Sequence, residues 1–206
     1  LLEERAGERP TAVAIRQKRL GLWRETTWAD YATAVREVAL GLDASGVRTG
    51  DRVAVFADND PSWLYADLAI QALGASSAGI YAGLDPEEVG ACLDAAEARI
   101  VICGDREQID ALRQTGGRRA VPVERMIVLD TTGLHTEEYA DAPLETFAEL
   151  RALGRAHEGG AARYAELLAA RHPEEVASVA FTSGTTGLPA GALLTHGGQL
   201  ALTPDE

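Results

Sequence analysis

A short segment rich in serine, threonine and glycine holds the residues of this chain that are best suited to chemistry. It runs from Thr182 to Gly191 and reads Thr-Ser-Gly-Thr-Thr-Gly-Leu-Pro-Ala-Gly, between apolar runs that end at Phe181 and begin at Ala192. Gly184 and Gly187 allow sharp turns and a close approach of the backbone to a ligand. The neutral hydroxyl and backbone N–H donors of such a loop can surround a polyphosphate. The segment therefore predicts a phosphate-binding loop.

Such a segment also has two other interpretations. A run of Ser, Thr and Gly can also be a polar linker between two strands. A Walker-type P-loop requires G-x-x-x-x-G-K-[ST], with a second glycine five residues after the first. Pro189 lies five residues beyond Gly184, and Ala192 lies five beyond Gly187. The linker stays open as an alternative, whereas an ordinary Walker-type NTPase does not fit.

The elements that must position the loop alternate between strands and helices. Helical patterns that begin near Pro61, Asp85 and Asp105 separate strand-like runs, which lie at 51–56, 77–81, 99–103, 125–130 and 176–181. This alternation predicts an α/β fold with a mainly parallel sheet flanked by helices. Ligands of such sheets gather beyond the carboxyl ends of the strands, which is where the predicted loop lies.

The remaining segments are predicted to flank this sheet. Strand-like runs at 11–16 and 22–26 indicate a hairpin, and Thr27 is a suitable N-cap for a helix that ends near Gly46. Residues 131–175 are more polar and are interrupted by glycines. We interpret them as a helical excursion, with helical patterns at 147–153 and 161–170.

Composition and charge limit the class of protein. Hydrophobic residues make up 46% and charged residues 25%, which is typical of a globular protein. The formal net charge of −13 argues against nucleic acid as a partner. No apolar run approaches the roughly 18 residues of a membrane-spanning helix and no signal peptide is visible, so a cytoplasmic location is the expectation. Cys92 and Cys103 stand apart from any CxxC pair and are expected to be buried, inert thiols.

Several other residues with chemical potential are expected to be structural. His172 and His196 have no carboxylate or serine at the spacing of a catalytic triad, so we expect them to be exposed or hydrogen-bonded. The three tryptophans are expected to pack in the core or on the hairpin rather than to bind adenine, and they are Trp23, Trp28 and Trp63.

The glycine-rich segment resembles a known signature. Nine of the ten positions from Thr182 to Gly191 fit the phosphate-binding signature of the adenylate-forming (AMP-binding) superfamily, which includes acyl-CoA synthetases, luciferases and peptide-synthetase adenylation domains. Further segments are similar to this family, at 59–63, 66–70, 73–75, 77–89 and 194–196. The resemblance covers nearly the whole chain, and the flanks look most like long-chain fatty-acyl-CoA ligases.

This resemblance implies an activity and a set of ligands. Such enzymes activate a carboxylic acid with ATP and Mg²⁺, release pyrophosphate and pass the acyl group to coenzyme A. By resemblance, the phosphates would be held by Thr182, Ser183, Gly184, Thr185, Thr186 and Gly187. Thr182 would also contact Mg²⁺, although a threonine that merely satisfies the loop backbone is an equal alternative. The resemblance assigns no residue of the chain to catalysis. The expected partners are small molecules, and a homodimer of the longer protein is left open.

One position departs from the family pattern, and both ends of the chain look interrupted. Ala190 stands where the signature has Lys, and an ammonium there would contribute about 1.5–3 kcal/mol through a charge-assisted contact. The chain begins at Leu1 without Met and ends at Glu206 soon after the signature. We therefore expect residues 1–206 to be a partial N-terminal AMP-binding domain that lacks synthetase activity alone. A catalytically degenerate nucleotide-binding or regulatory module, an aryl-CoA ligase and a peptide-synthetase module remain alternatives.

Overall fold

The fold was determined from a computed structural model, which describes residues 1–115, 121–135, 139, 144–182 and 189–201. The strands among these residues are β1 (Val13–Arg19), β2 (Leu22–Thr27), β3 (Arg52–Phe56), β4 (Ser76–Ile80), β5 (Ile100–Cys103), β6 (Arg125–Val128), β7 (Leu144–Thr146), β8 (Val176–Thr182) and β9 (Ala190–Thr195). The helices are α1 (Leu2–Glu8), α2 (Trp28–Ala44), α3 (Pro61–Ala72), α4 (Pro86–Ala96), α5 (Arg106–Gln114), α6 (Phe147–Arg155), α7 (Gly160–Ala169) and α8 (His196–Leu200).

The main sheet has the strand order β7-β6-β5-β3-β4-β8-β9. Its neighbouring strands are parallel except for β8 and β9, which form an antiparallel pair at one edge. The prediction of an α/β fold with a mainly parallel sheet and flanking helices is confirmed. Strands β1 and β2 form a separate antiparallel hairpin, also as predicted.

The two faces of the sheet bury two different groups of apolar residues. Along β3, Val53 and Val55 belong to a core shared with α2, α3, α6 and α7, whereas Ala54 and Phe56 belong to a core shared with α4 and α5. Successive side chains of a strand point to opposite faces, so a strand that is covered on both sides is apolar throughout. Burial on both faces therefore explains the continuous apolar run of β3.

Side-chain caps set the starts of the predicted helices. Thr27, Asp85 and Asp105 each accept a hydrogen bond from a backbone N–H of the first turn, and each forms a reciprocal capping box. Asp60 caps α3 and is followed by Pro61, which suits the first helical position. The predicted helix starts at these residues are confirmed.

Four elements were not predicted, namely β9, which the sequence showed only as an apolar run that begins at Ala192, and three short ones. Strand β7 has three residues, α8 has five and α1 has seven. Elements of this length show less than two periods of a hydrophobic pattern, so periodicity cannot reveal them. Strand β7 lies within the stretch that was predicted to be a helical excursion and extends the parallel sheet at the edge far from β9. The two helical patterns of that stretch are confirmed as α6 and α7.

Candidate functional site

The signature segment joins the two strands of the β8–β9 hairpin at one edge of the sheet. Strand β8 is parallel to β4, with Gly79 opposite Ala180, and it ends at Thr182. The connection to β9 therefore leaves the sheet at the carboxyl end of the parallel strands, where ligands of open α/β sheets bind. This placement agrees with the location predicted for the phosphate loop.

Of the six residues predicted to hold phosphates, Thr182 lies within the described part of the chain. The other five, Ser183, Gly184, Thr185, Thr186 and Gly187, lie outside the described residues. The description resumes at Pro189 and Ala190, so both ends of the predicted loop are placed on the hairpin.

Thr182 and Ala190 face each other at the open end of the hairpin. They are cross-strand partners, and both are exposed. Directly opposed residues of an antiparallel pair point to the same face, with Cβ atoms about 4.5–5.5 Å apart. A side chain longer than that of Ala190 would therefore extend beside the Thr182 hydroxyl.

The Thr182 hydroxyl already has a weak backbone partner. Its Oγ1 donates to the carbonyl oxygen of Ala190 at 3.4 Å. An O–H···O bond is normally about 2.5–3.0 Å long, so this contact is long and easily exchanged for a better acceptor. In the alternative role, the Thr182 hydroxyl only satisfies a backbone acceptor. The structure contains that hydrogen bond, but it is weak.

Two aromatic residues lie next to this end of the hairpin. The ring of Trp63 packs against Gly79, where an added Cβ would lie 3.2 Å from Trp63 Cζ2. Tyr81 follows β4 directly and is 73% exposed, although the sequence placed it within the strand. An aromatic residue at the carboxyl end of a predicted strand was the signal that could have drawn attention to it.

His196 and the three tryptophans differ in how far they are buried. His196 begins α8, after β9 has run back to the amino end of β8, so it lies about 20 Å from the loop along the strand. Burial lowers its pKa, and among the described residues its buried Nε2 has no hydrogen-bond partner. The expectation of an exposed or hydrogen-bonded histidine therefore does not hold for the Nε2 atom, and the residue as a whole is half-buried. Trp28 and Trp63 pack against the core, whereas Trp23 is exposed on the hairpin beneath Lys18.

The two cysteines are structural, as predicted. Both are free and fully buried. Burial raises the pKa of the Cys92 thiol to about 11 and that of Cys103 to about 12. Neither residue supplies a reactive thiolate near neutral pH.

Thr182 is the described residue that the resemblance links to Mg²⁺. The described part of the chain has no group of three or more His, Cys, Asp or Glu that could hold a metal. Mg²⁺ commonly keeps several waters and binds through phosphate oxygens, so the single exposed hydroxyl of Thr182 fits a supporting ligand at most.

Across the described residues, no helix combines the length and apolar character needed to cross a membrane.

Comparison with known proteins identifies relatives along nearly the whole chain. Long-chain-fatty-acid–CoA ligase FadD15 of Mycobacterium bovis is 33% identical over 180 residues, covering 85% of this chain and 27% of that enzyme. 4-Coumarate–CoA ligase CCL1 of Humulus lupulus is 32% identical over 174 residues, covering 84% of this chain and 28% of the relative. An uncharacterised protein of Mycobacterium tuberculosis is 36% identical over 121 residues, which is 59% of this chain and 65% of that protein.

Solved structures share the fold. The anthranilate CoA ligase AuaEII in complex with anthranoyl-AMP matches with a TM-score of 0.73 at 22% identity, over 95% of this chain and 33% of that one. The chain thus spans less than two thirds of the length of each of these relatives. The model of the family described as "AMP-binding enzyme" matches residues 2–204. Since this match takes in almost every residue, the chain belongs to the AMP-binding enzyme family.

Proposed function

We propose that the chain is the phosphate-binding N-terminal part of an AMP-forming acyl-CoA ligase. The reaction would join a carboxylate to the AMP moiety of ATP, release pyrophosphate, and then transfer the acyl group to coenzyme A. The observation that carries the proposal is the β8–β9 hairpin, which presents the signature segment at the carboxyl end of the parallel sheet, with Thr182 and Ala190 as opposed, exposed partners.

The proposed task of this segment is to hold the leaving group. A carboxylate oxygen would form a bond to the α-phosphorus while the bond from that phosphorus to the β-phosphate oxygen breaks. Negative charge then grows on the departing pyrophosphate, and donors placed around it lower the barrier. Thr182 would donate its hydroxyl, and residues 183–187 would supply further donors. Bound Mg²⁺ would neutralise part of the phosphate charge.

We propose a long-chain fatty acid as the substrate class, supported by the similarity to FadD15. An aryl carboxylate is the second candidate, because a 4-coumarate–CoA ligase is similarly related and an anthranilate CoA ligase shares the fold. A third possibility is a nucleotide-binding module that has lost catalysis, which Ala190 favours since it removes a cation from the signature. ATP, Mg²⁺ and coenzyme A are the ligands of the first two.

Binding of Mg-ATP to this chain tests the phosphate role directly. Calorimetry would compare the unaltered chain with Thr182→Val, which keeps the side-chain shape but removes the hydroxyl. Loss of one neutral hydrogen bond of about 0.5–1.5 kcal/mol should weaken binding about 2- to 12-fold. Thr11→Val is the matched control, because Thr11 is exposed on the amino-terminal segment and is not part of the β8–β9 hairpin. Folded chains that do not bind Mg-ATP, or equal affinity in all three, would refute the role of Thr182.

A further inference from the structure

The turn of the β1–β2 hairpin carries large apolar side chains that are open to solvent. Leu20 is 94% exposed, and the first two residues of β2, Leu22 and Trp23, are 68% and 66% exposed. Neither apolar core of the described residues includes any of the three. Single exposed apolar residues are common, whereas a contiguous group of this kind marks an interaction site. Leu20, Leu22 and Trp23 together are the hairpin tip.

The backbone of the turn makes a leucine at this place unusual. Leu20 and Gly21 both have positive φ angles, 50° and 80°, as the central residues of a type I′ hairpin turn do. Gly, Asn and Asp adopt this conformation readily, whereas a bulky apolar residue is strained in it. Leu20 is thus unfavourable both for its backbone conformation and for its exposure to water. A position that breaks two local rules without a gain in packing indicates a role outside the fold.

Basic side chains surround the hairpin tip, although the whole chain has a formal net charge of −13. The hairpin has a single acidic residue, Glu25, and four basic residues, Arg16, Lys18, Arg19 and Arg24. Within the described part of the chain, Lys18 and Arg24 form no ion pair with a carboxylate. The Lys18 ammonium instead lies 5.9 Å from the centre of the Trp23 ring. The tip is therefore both apolar and locally positive.

The hairpin is held across the carboxyl end of the main sheet. Gln17 donates a hydrogen bond to Asp60 at 2.7 Å, and Arg19 donates one to Asp130 at 2.9 Å. Asp60 follows β3 and Asp130 follows β6, which belong to the same parallel set of strands. The hairpin tip is therefore fixed at the end of the sheet from which the signature segment also leaves.

From these observations we infer that the hairpin tip docks on a membrane surface that contains anionic lipids. Leu20 and Leu22 would enter the boundary between headgroups and acyl chains, and the amphipathic ring of Trp23 favours the same depth. Lys18 and Arg24 would contact anionic headgroups. The inference does not rest on the proposed ligase activity, although docking at this end would bring the signature segment close to a membrane that holds fatty acids.

The shape of the tip favours a lipid layer over a protein partner. Leu22 and Trp23 are consecutive residues of β2, so their side chains point to opposite faces of the hairpin. A flat protein surface could cover one of them, whereas a fluid lipid layer can surround both. Charges farther away than about 8 Å are largely screened at physiological ionic strength, so the membrane interacts mainly with the basic hairpin. The acidic remainder of the chain would then face away from the membrane.

Flotation of the chain with phosphatidylcholine vesicles, with and without phosphatidylserine, tests this contact. We expect binding that is clearly stronger when phosphatidylserine is present. Leu20→Asn should lower the vesicle affinity about 10-fold or more, because a leucine side chain no longer leaves water. Asparagine also suits the left-handed turn, so this loss would not come from unfolding. Leu153→Asn is the matched control, since Leu153 is 40% exposed on α6, and it should bind as the unaltered chain does.

A charge variant separates headgroup contact from apolar insertion. Lys18→Gln should lower the affinity for vesicles with phosphatidylserine about 5-fold and leave that for phosphatidylcholine alone unchanged. A folded chain that does not bind the anionic vesicles overturns the inference, as does equal binding to both kinds of vesicle or binding that Leu20→Asn leaves intact. Vesicle binding by this chain that is absent from a longer chain containing residues 1–206 overturns it too, because protein would then cover the tip.

Discussion

Introducing the lysine of the family signature at position 190 is the sharpest test of how the signature segment works. Ala190 is exposed and lies opposite Thr182 on the same face of the hairpin. In Ala190→Lys, a four-carbon stem can carry an ammonium past the Thr182 hydroxyl toward a bound pyrophosphate group. We therefore expect Ala190→Lys to bind Mg-ATP more tightly than the unaltered chain.

The size of this effect follows from the exposure of the position. A charge-assisted hydrogen bond contributes about 1.5–3 kcal/mol when it is shielded from water. At an exposed strand end, the ammonium stays partly hydrated, so we expect about 1–2 kcal/mol, or about a 5- to 30-fold lower Kd. Calorimetry near physiological ionic strength would measure this change with long-range charge effects largely screened.

A second lysine variant separates local contact from the general effect of charge. Ala44→Lys adds the same charge at the exposed end of α2, which leads to the amino end of β3 and so lies away from the loop end of the hairpin. It should leave the Kd for Mg-ATP unchanged. Equal tightening in both variants would mean that net charge alone is responsible. If a folded Ala190→Lys variant bound Mg-ATP no more tightly than the unaltered chain, the idea that the ammonium lies beside the phosphates would be refuted.

Two further substitutions test the packing and the electrostatics of the scaffold. Gly154→Ala would place a Cβ 1.8 Å from the carbonyl oxygen of Glu37 where α6 crosses α2, and urea unfolding should show a loss of about 2–3 kcal/mol. Gly7→Ala in α1, where no atom lies within 4 Å, is its control, and equal stability of the two variants would contradict the close helix contact. A hydrogen bond from Arg163 holds the pKa of Asp43 below its ordinary value of 3.8, so its stabilisation is present above that value and is lost as pH falls through the lower, folded pKa. Asp43→Asn should therefore be less stable than the unaltered chain at neutral pH, with a difference in unfolding free energy that shrinks in acid. A difference that stays constant with pH would contradict the ion pair.

Much of the fold could be read from the sequence because its signals are local. Thr27, Asp60, Asp85 and Asp105 mark helix starts through hydrogen bonds within the first turn, so the chain segment alone contains both partners. The apolar run at Val53 to Phe56 reports a strand that is covered on both faces. The glycines and hydroxyls of the signature segment lie within ten residues, which made the phosphate-binding hypothesis accessible from the sequence.

What the sequence determined by itself was the α/β class, the chemical character of the loop and most of the succession of elements, with β7, β9, α1 and α8 as the exceptions. Tertiary structure alone decided which strands are neighbours, that β9 turns back antiparallel to β8, that Ala190 opposes Thr182, and that His196 is carried away from the loop. These outcomes depend on contacts between residues far apart in the chain, whose free energies are set by burial on the assembled sheet. Periodicity records which side of a strand is buried, but it does not record which partner covers that side.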